Sequence, residues 1–224
     1  MKKMIKTLMA GTAMLGIAGI ANAIPTLYVS TTGLAGSYTA VASSATGAVS
    51  FSGGIGVWST YITSGITKPA NGSATQPVMD IDLNASSTAG GSLWIAFADT
   101  GFSDALGGVV ATITGHVVSG ASESYSFLTY DDTSNSQPTT TVANGSLITT
   151  LSGSMPPNAN ASANGILPSG APSTLIEIIQ ISSSGATSTS TDVSLSSVPD
   201  GGATALLLGA ALSGLALLKR KVLA

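Results

Sequence analysis

The residues that most often carry out chemistry are scarce in this chain. It has one histidine, His116, and no cysteine. Nucleophilic catalysis needs a base held against a nucleophile, and the Gly-x-Ser-x-Gly turn that presents a hydrolase serine does not occur. His116 ends a run of β-branched residues, where an ordinary surface histidine is expected. We therefore predict no catalytic residue, no cofactor-binding residue and no enzyme activity.

Paired carboxylates are the remaining candidates for chemistry. Asp80 and Asp82 stand two apart in a β-prone run, so their side chains share one face of a strand, which Asn84 continues. Carboxylate oxygens suit Ca²⁺, and two carboxylates at a suitable separation can cleave glycosidic bonds. The simplest interpretation is that the acids solvate turns and edge strands. By default we expect no metal, and Asp80 and Asp82 are the candidate ligands if a structural Ca²⁺ is present.

Aromatic side chains offer a third kind of chemistry, stacking on sugar rings. Trp58 and Tyr61 stand three apart in a predicted strand, as do Trp94 and Phe97. Each pair must point to opposite faces of its strand. We expect one member of each pair in the core and allow the other to be exposed.

Charge is concentrated at the ends of the chain. Only 8% of the 224 residues are charged, against about one-quarter in ordinary soluble domains. Between Ile24 and Asp200 the only basic residue is Lys68, among all ten acids. Such a segment repels phosphate, which excludes nucleic-acid binding by charge. The absence of cysteine excludes a disulfide-stapled module.

The first 23 residues have the layout of a secretory signal peptide. A cationic start is followed by an apolar stretch at 8–20 and then by the small residues Ala21 and Ala23 on either side of Asn22. We predict that signal peptidase cuts after Ala23 and exclude residues 1–23 from the fold.

The C-terminal end combines three features in order. A short motif is followed by an uncharged stretch at 203–218 and a basic cluster. The motif residues are Val198, Pro199, Asp200, Gly201 and Gly202, and the cluster consists of Lys219, Arg220 and Lys221. As a helix, 203–218 would be about 24 Å long against a hydrocarbon core of about 30 Å. We predict a short transmembrane helix whose basic end stays in the cytoplasm.

This tail resembles the PEP-CTERM class of sorting signals in its VPDSG-like variant. The usual Glu of that class is Asp200 here, and Gly202 stands where the variant often has Ser or Thr. The resemblance implies a Gram-negative host and processing by an exosortase, a membrane-embedded protease. It further implies an inner-membrane intermediate and delivery to the cell surface or an exopolysaccharide matrix.

The region between the ends predicts an all-β domain. Short β-prone runs alternate with Gly, Asn, Ser and Pro, and no segment has a clear helical period. The run at 92–97 is almost wholly apolar, which predicts burial on both faces. We expect one β-sandwich or jelly-roll-like domain at 24–181. The ten predicted strands are 26–30, 36–42, 48–53, 57–63, 78–84, 92–98, 109–118, 124–130, 147–151 and 174–181.

Two segments are expected to be irregular. Residues 133–172 are rich in Ser, Thr, Asn and Pro, which favours either a partly ordered excursion or edge strands. Residues 182–197 are mostly Ser and Thr, and we predict a solvated linker between the domain and the sorting signal at 198–224.

Together these observations favour an exported, non-enzymatic protein of the cell surface or matrix, associated with exopolysaccharide. The alternative is a secreted carbohydrate-binding module or carbohydrate-active enzyme on the same scaffold. Acids clustered beside an exposed aromatic residue would favour that alternative. A third option is a protein that keeps its tail and stays tethered in the membrane.

Overall fold

The computed structural model describes residues 24–103, 107–155, 158–167, 172–198, 208–209 and 211–212, and the described residues form twelve strands. Their bounds are β1 Thr26–Ser30, β2 Thr39–Ser43, β3 Ala48–Ile55, β4 Trp58–Ile66, β5 Val78–Ser87, β6 Gly91–Phe102, β7 Gly108–Gly120, β8 Glu123–Asp132, β9 Ser146–Met155, β10 Asn158–Ile166, β11 Ser173–Ser183 and β12 Thr187–Ser197.

The strands form two antiparallel sheets that pack face to face. The first sheet has the order β2-β1-β6-β11-β8-β9 and the second the order β10-β7-β12-β5-β4-β3. One apolar core lies between them, with Leu27, Ile95, Phe97 and Ile179 from the first sheet against residues such as Ile81 from the second. The predicted all-β sandwich is confirmed.

Period-two patterning explains which residues enter this core. On β5, Met79, Ile81 and Leu83 are buried, while the aspartates between them face outward and are half-buried. On β6 both faces are covered, because Phe97 lies in the core and Ala96 lies in a second apolar cluster. The burial expected for the apolar run at 92–97 is therefore confirmed.

The outer face of the first sheet is covered by loops. Tyr28, Ala98 and Ile178 project from this face and are buried beneath Tyr38 and Val142. The two covering loops are joined by backbone bonds, including one of 3.1 Å from the Gly36 amide to the Thr140 carbonyl. Gly33, at φ 67°, passes so close to the ring of Trp94 that a Cβ would lie 2.4 Å from it.

The prediction of a solvated linker at 182–197 is wrong. The segment completes β11 and then forms β12, which lies inside the second sheet between β7 and β5. Its sequence alternates Thr, Val or Leu on the buried side with Ser or Asp on the outer side. Threonine is β-branched and suits a half-buried strand, so a hydroxyl-rich composition concealed a regular strand.

The segment 133–172 supplies an edge strand to each sheet. β9 borders the first sheet and β10 the second. The inner face of β10 carries Ala159, Ala161, Ala163 and Gly165, whose small size lets β9 approach closely. A Cβ built at Gly165 would lie 2.5 Å from the Ile148 side chain of β9.

Candidate binding face and C-terminal motif

The outer face of the second sheet gathers polar side chains from its central strands. Alternate residues of β5, β7 and β12 point into the core, so the residues between them point outward. Antiparallel register arranges the outward residues in rows across the sheet. One row runs Asp82, Asp192, Thr114 and Asn160, and the next runs Asn84, Ser190, His116 and Asn158.

A groove of about 420 Å³ lies along these two rows. Its hydrogen-bonding groups include the carboxyl groups of Asp82 and Asp192, the ring of His116 and the amides of Asn158 and Asn160. His116 and both asparagines are exposed. The groove therefore presents donors and acceptors together, which is what a polyhydroxylated ligand requires.

An exposed aromatic ring lies beyond one end of the second row. Tyr61 of β4 pairs with Asn84 and is 55% exposed, whereas Trp58 of the same strand is 2% exposed. One core and one exposed aromatic residue were expected from this pair, and that is confirmed. Tyr61 thus places a flat apolar surface on the same face as the groove.

The carboxyl groups of Asp80, Asp82 and Asp192 lie together on this face. Asp82 and Asp192 are directly opposite in register, and the Ser64 hydroxyl donates to Asp82 at 3.0 Å. Burial, followed by repulsion from Asp192 and Asp82, raises the pKa of Asp80 to about 6. Burial and the neighbouring Asp82 also raise the pKa of Asp192. The carboxyl of Asp80 therefore exchanges its proton in mildly acidic solution.

The Ca²⁺ candidates do share one face. Asp80 and Asp82 both point outward from β5, as the i, i+2 spacing required. Among the described residues, no group of three or more His, Cys, Asp or Glu side chains is arranged to hold a metal ion. Ca²⁺ binding by this pair stays a prediction.

Sequence reasoning missed half of the groove. It identified His116 and Asp82 but treated His116 as an ordinary surface residue. Asp192 lies in the segment for which the sequence predicts a linker, and Asn158 and Asn160 lie in the segment expected to be irregular. The signal for the asparagines is in the sequence: Asn-Ala-Asn-Ala-Ser-Ala-Asn at 158–164 alternates with the period of a strand.

The single lysine of the domain is buried at one end of the sandwich. Its Nζ lies 2.8 Å from Oδ2 of Asp99 and 4.2 Å from the centre of the Phe102 ring. Lys68 also donates to the Thr100 carbonyl, and the Thr100 amide donates to Asp99 at 2.9 Å. Burial raises the pKa of Asp99, while Lys68 partly offsets that rise. The pair is a desolvated ion pair that fixes the loop after β4 to β6.

Another acid lies in the apolar core. Glu177 of β11 is 0% exposed, and neither carboxyl oxygen forms a hydrogen bond of normal geometry. Burial raises its pKa well above the usual value, and the charges of Asp80 and Asp192 add to that rise. Burial in this environment favours the protonated, neutral form.

The expectation that the acids solvate turns and edge strands is wrong for the described residues. In that part of the chain, every Asp, Glu and Lys side chain is buried or half-buried. Central strands carry Asp80, Asp82, Asp192 and Glu177. Burial raises the pKa of Asp80, Asp192 and Glu177. The exposed surface of the described residues is accordingly made mainly of hydroxyl, amide and apolar groups.

The C-terminal motif begins where β12 ends. The amide of Ser197 donates to the Pro77 carbonyl at 2.9 Å, and that of Val198 donates to the Gly108 carbonyl at 2.8 Å. The domain therefore holds the chain up to the first motif residue. Outside the described residues lie Pro199, Asp200, Gly201, Gly202, Lys219, Arg220, Lys221 and the predicted cleavage residues Ala21 and Ala23.

The predicted transmembrane helix at 203–218 also lies largely outside the described residues. In the part of the chain that is described, no helix has the length and apolar character needed to cross a membrane.

Several solved structures are similar to this chain at low identity. The carbohydrate-binding module TmCBM61, in complex with β-1,4-galactotriose, has a TM-score of 0.36 and 9% identity, covering 64% of this chain and 90% of that one. The CBM22-1 xylan-binding domain of Xyn10C from Paenibacillus barcinonensis has a TM-score of 0.34 and 11% identity, and the match covers 68% of this chain and 86% of that one. The enzymatically active domain of tailspike protein 4 of bacteriophage CBA120 has a TM-score of 0.35 and 11% identity, and the match covers 64% of this chain and 20% of that one. At such TM-scores these likenesses bear on neither ligand nor site.

No curated protein matches the chain. Residues 197–222 match the VPDSG-CTERM motif family. The match covers the predicted motif, the uncharged stretch and the basic cluster in one segment. Residues 197–222 are therefore a PEP-CTERM-like sorting signal, which marks the chain as an exported protein that passes through the membrane and is processed by an exosortase-type protease.

Proposed function

We propose that this protein is a non-enzymatic component of the cell surface or extracellular matrix, released from the inner membrane by an exosortase and associated with exopolysaccharide. The observation that carries the proposal is the sorting signal at 197–222, which begins at the last residue of β12. A folded domain joined directly to a removable anchor is suited to delivery outside the cell.

The described surface is consistent with this role. A matrix protein works at high local density, where exposed like charges would make neighbouring copies and acidic polymers repel each other. Here the carboxyl groups are buried or half-buried, and many have raised pKa values. The surface meets its surroundings mainly through neutral hydrogen-bonding groups.

The test is the intact mass and cellular fraction of the protein in its native host and in a strain that lacks the exosortase. We expect a chain that starts at Ile24, ends within residues 198–202 and lies outside the inner membrane in the native strain. In the mutant strain it should keep its tail and stay in the inner membrane. A full-length tail in the inner membrane of both strains would refute the proposal in favour of a tethered protein.

A second candidate function, that of a carbohydrate-binding module, is favoured by the groove on the second sheet. Asn158 and Asn160 donate and accept hydrogen bonds, Asp82 and Asp192 accept them, and Tyr61 offers a ring for stacking. These groups match the alternating hydroxyl and apolar surfaces of a sugar chain. The two candidate functions are compatible, because a sorted protein can bind matrix polysaccharide through this groove.

Titration calorimetry of the mature protein with neutral oligosaccharides tests the groove. We expect Asn160→Ala to weaken binding about tenfold, since it leaves a polar contact unmade. Asn164→Ala is the matched control, because Asn164 lies on the same face of β10 outside the groove. Equal affinity in both variants would exclude the groove as the binding site. Shortening of the oligosaccharide would show an enzyme instead.

A further inference from the structure

The four edge strands of the sandwich lack two of the features that normally prevent sheets from joining, namely charged side chains and proline. These are β2 and β9 in the first sheet and β3 and β10 in the second. Natural edge strands are protected by charged side chains, proline or bulges, because their free backbone groups can pair with another chain. None of these four strands contains a charged residue or a proline.

Bulges distinguish β10 from the other three edges. The pairing of β1 with β2 shifts register at Leu27/Tyr28, that of β3 with β4 at Val49/Phe51, and that of β8 with β9 at Thr129/Tyr130. β10 pairs with β7 at nine consecutive positions without a shift. It is therefore the regular, unprotected edge of the fold.

The free side of β10 is not covered by the neighbouring strand β9. Gly165 lies on the inner face of β10, and a Cβ built there would point at the side chains of Ile148 and Thr149 in β9. β9 thus packs against the inner face of β10. Within the described part of the chain, β10 pairs with β7 and with no other strand, so its other row of backbone groups faces outward.

We propose that β10 pairs antiparallel with β10 of a second copy of this chain, which joins two second sheets edge to edge. The register that pairs all nine residues is centred on Ser162, and it sets Asn160 opposite Asn164 of the partner subunit. On the inner face it sets Ala161 opposite Ala163 of the partner subunit. Asn160 meets an amide, the inner-face residues meet small residues, and only at the two ends does Asn158 lie opposite a large apolar side chain, that of Ile166. The strand is therefore largely complementary to itself, as a two-fold interface requires.

Charge argues for a copy of the same chain as the occupant. Every Asp, Glu and Lys of the described residues is buried or half-buried, so two copies approach with little repulsion. The groove residues Asn158 and Asn160 lie on this edge strand. In the dimer, the two grooves open on the same face of one continuous sheet. This goes beyond the proposed function, which concerns delivery and polysaccharide contact.

Analytical ultracentrifugation of the mature protein, from low to high micromolar concentration, tests the interface. The wild type should show a reversible monomer–dimer equilibrium. Ser162→Lys sets two lysines opposite each other at the two-fold axis, and we expect it to weaken the dimer about tenfold or more. Ser86→Lys, on the same outer face of the interior strand β5, should leave the dimer unchanged.

Circular dichroism and the melting temperature establish that both variants are folded. A wild type that is monomeric throughout would overturn the proposal. A dimer that survives Ser162→Lys and is lost in Ser52→Lys, on the edge strand β3, would also overturn it in favour of the opposite edge. Neither result depends on how the tail is processed. A failure of the dimer proposal would therefore not bear on the proposed function, which the mass and cellular fraction of the protein test separately.

Discussion

The two sheets differ most on their outer faces. The first sheet presents Tyr28, Ile176 and Ile178 outward and buries them beneath loops that carry Tyr38 and Val142. The second sheet presents Asp82, Asp192, His116 and other polar residues, and no loop among the described residues covers the groove between them. The same period-two rule produces both faces; only the residue type at the outward positions differs.

This difference indicates where the protein meets its surroundings. An apolar outer face must be covered, and covering it uses the loops before β2 and after β8. A polar outer face stays in contact with solvent and can bind ligands. We therefore expect the outer face of the first sheet to contribute to the stability of the fold and that of the second sheet to bind ligands. Substitutions on the two faces can test this expectation.

The largest expected effect compares the two faces of a single strand. Thr191 of β12 faces the core, with Oγ1 4.0 Å from Sδ of Met155, while Ser190 faces the groove. Thr191→Lys buries an unpaired charge, so we expect a loss of more than about 4 kcal/mol in the free energy of unfolding. Ser190→Lys should change it by less than about 0.5 kcal/mol. Urea denaturation measures both. Similar values would mean that 187–197 is a linker after all.

A smaller change in the free energy of unfolding is expected when one substitution is made on each of the two outer faces. Ile178→Ala on the first sheet removes a side chain that is 1% exposed beneath the covering loops. We expect a loss of about 2–5 kcal/mol, as for other buried aliphatic truncations. Ser86→Ala on the second sheet's open face should cost less than about 0.5 kcal/mol. If Ile178→Ala is as mild as Ser86→Ala in urea denaturation, the loops do not cover this face.

Much of the fold follows from the sequence because apolar alternation is a strong signal. Ten of the strands were predicted near their observed positions, and β1 at its observed bounds. The two omitted strands, β10 and β12, have few large apolar residues. Ala on the inner face of β10 and Thr on that of β12 bury little area per residue, so composition suggested loop.

The groove could be predicted only in part, since its residues come together through strand order. Asp82 and Asp192 are far apart in sequence and adjacent in space because β12 lies between β5 and β7. No local pattern specifies that order. Burial of the acids was equally hidden, because a strand such as Thr-Leu-Ile-Glu-Ile-Ile gives no sign that Glu177 faces the core rather than solvent.

The buried carboxyls predict that stability rises on acidification. Raised pKa values mean that the folded state holds protons more tightly than the unfolded chain. For Asp80 this stabilisation is complete below its ordinary pKa of 3.8 and is lost as pH rises through about 6. The raised pKa values of Asp192 and Glu177 act in the same direction.

The urea midpoint should therefore be higher at pH 5 than at pH 7.5. Asp80→Asn keeps a hydrogen-bonding side chain of similar size and cannot titrate, so it should flatten the profile between pH 4 and 6. A urea midpoint that rises with pH across this range would contradict this prediction. It would mean that the folded protein stabilises the aspartates on the outer face of the second sheet in their charged form.

The smallest expected effect concerns Ca²⁺ on that same face. We expect the melting temperature of the mature protein to agree within about a degree in saturating Ca²⁺ and in EGTA. Ca²⁺ takes six to eight oxygen ligands that wrap around it, whereas Asp80 and Asp82 project side by side from one strand. The Ser64 hydroxyl already donates to Asp82, and burial, followed by repulsion from Asp192 and Asp82, raises the pKa of Asp80. A rise of several degrees that Asp82→Asn abolishes would show a built Ca²⁺ site, and the open face would then contribute to stability as well as to recognition.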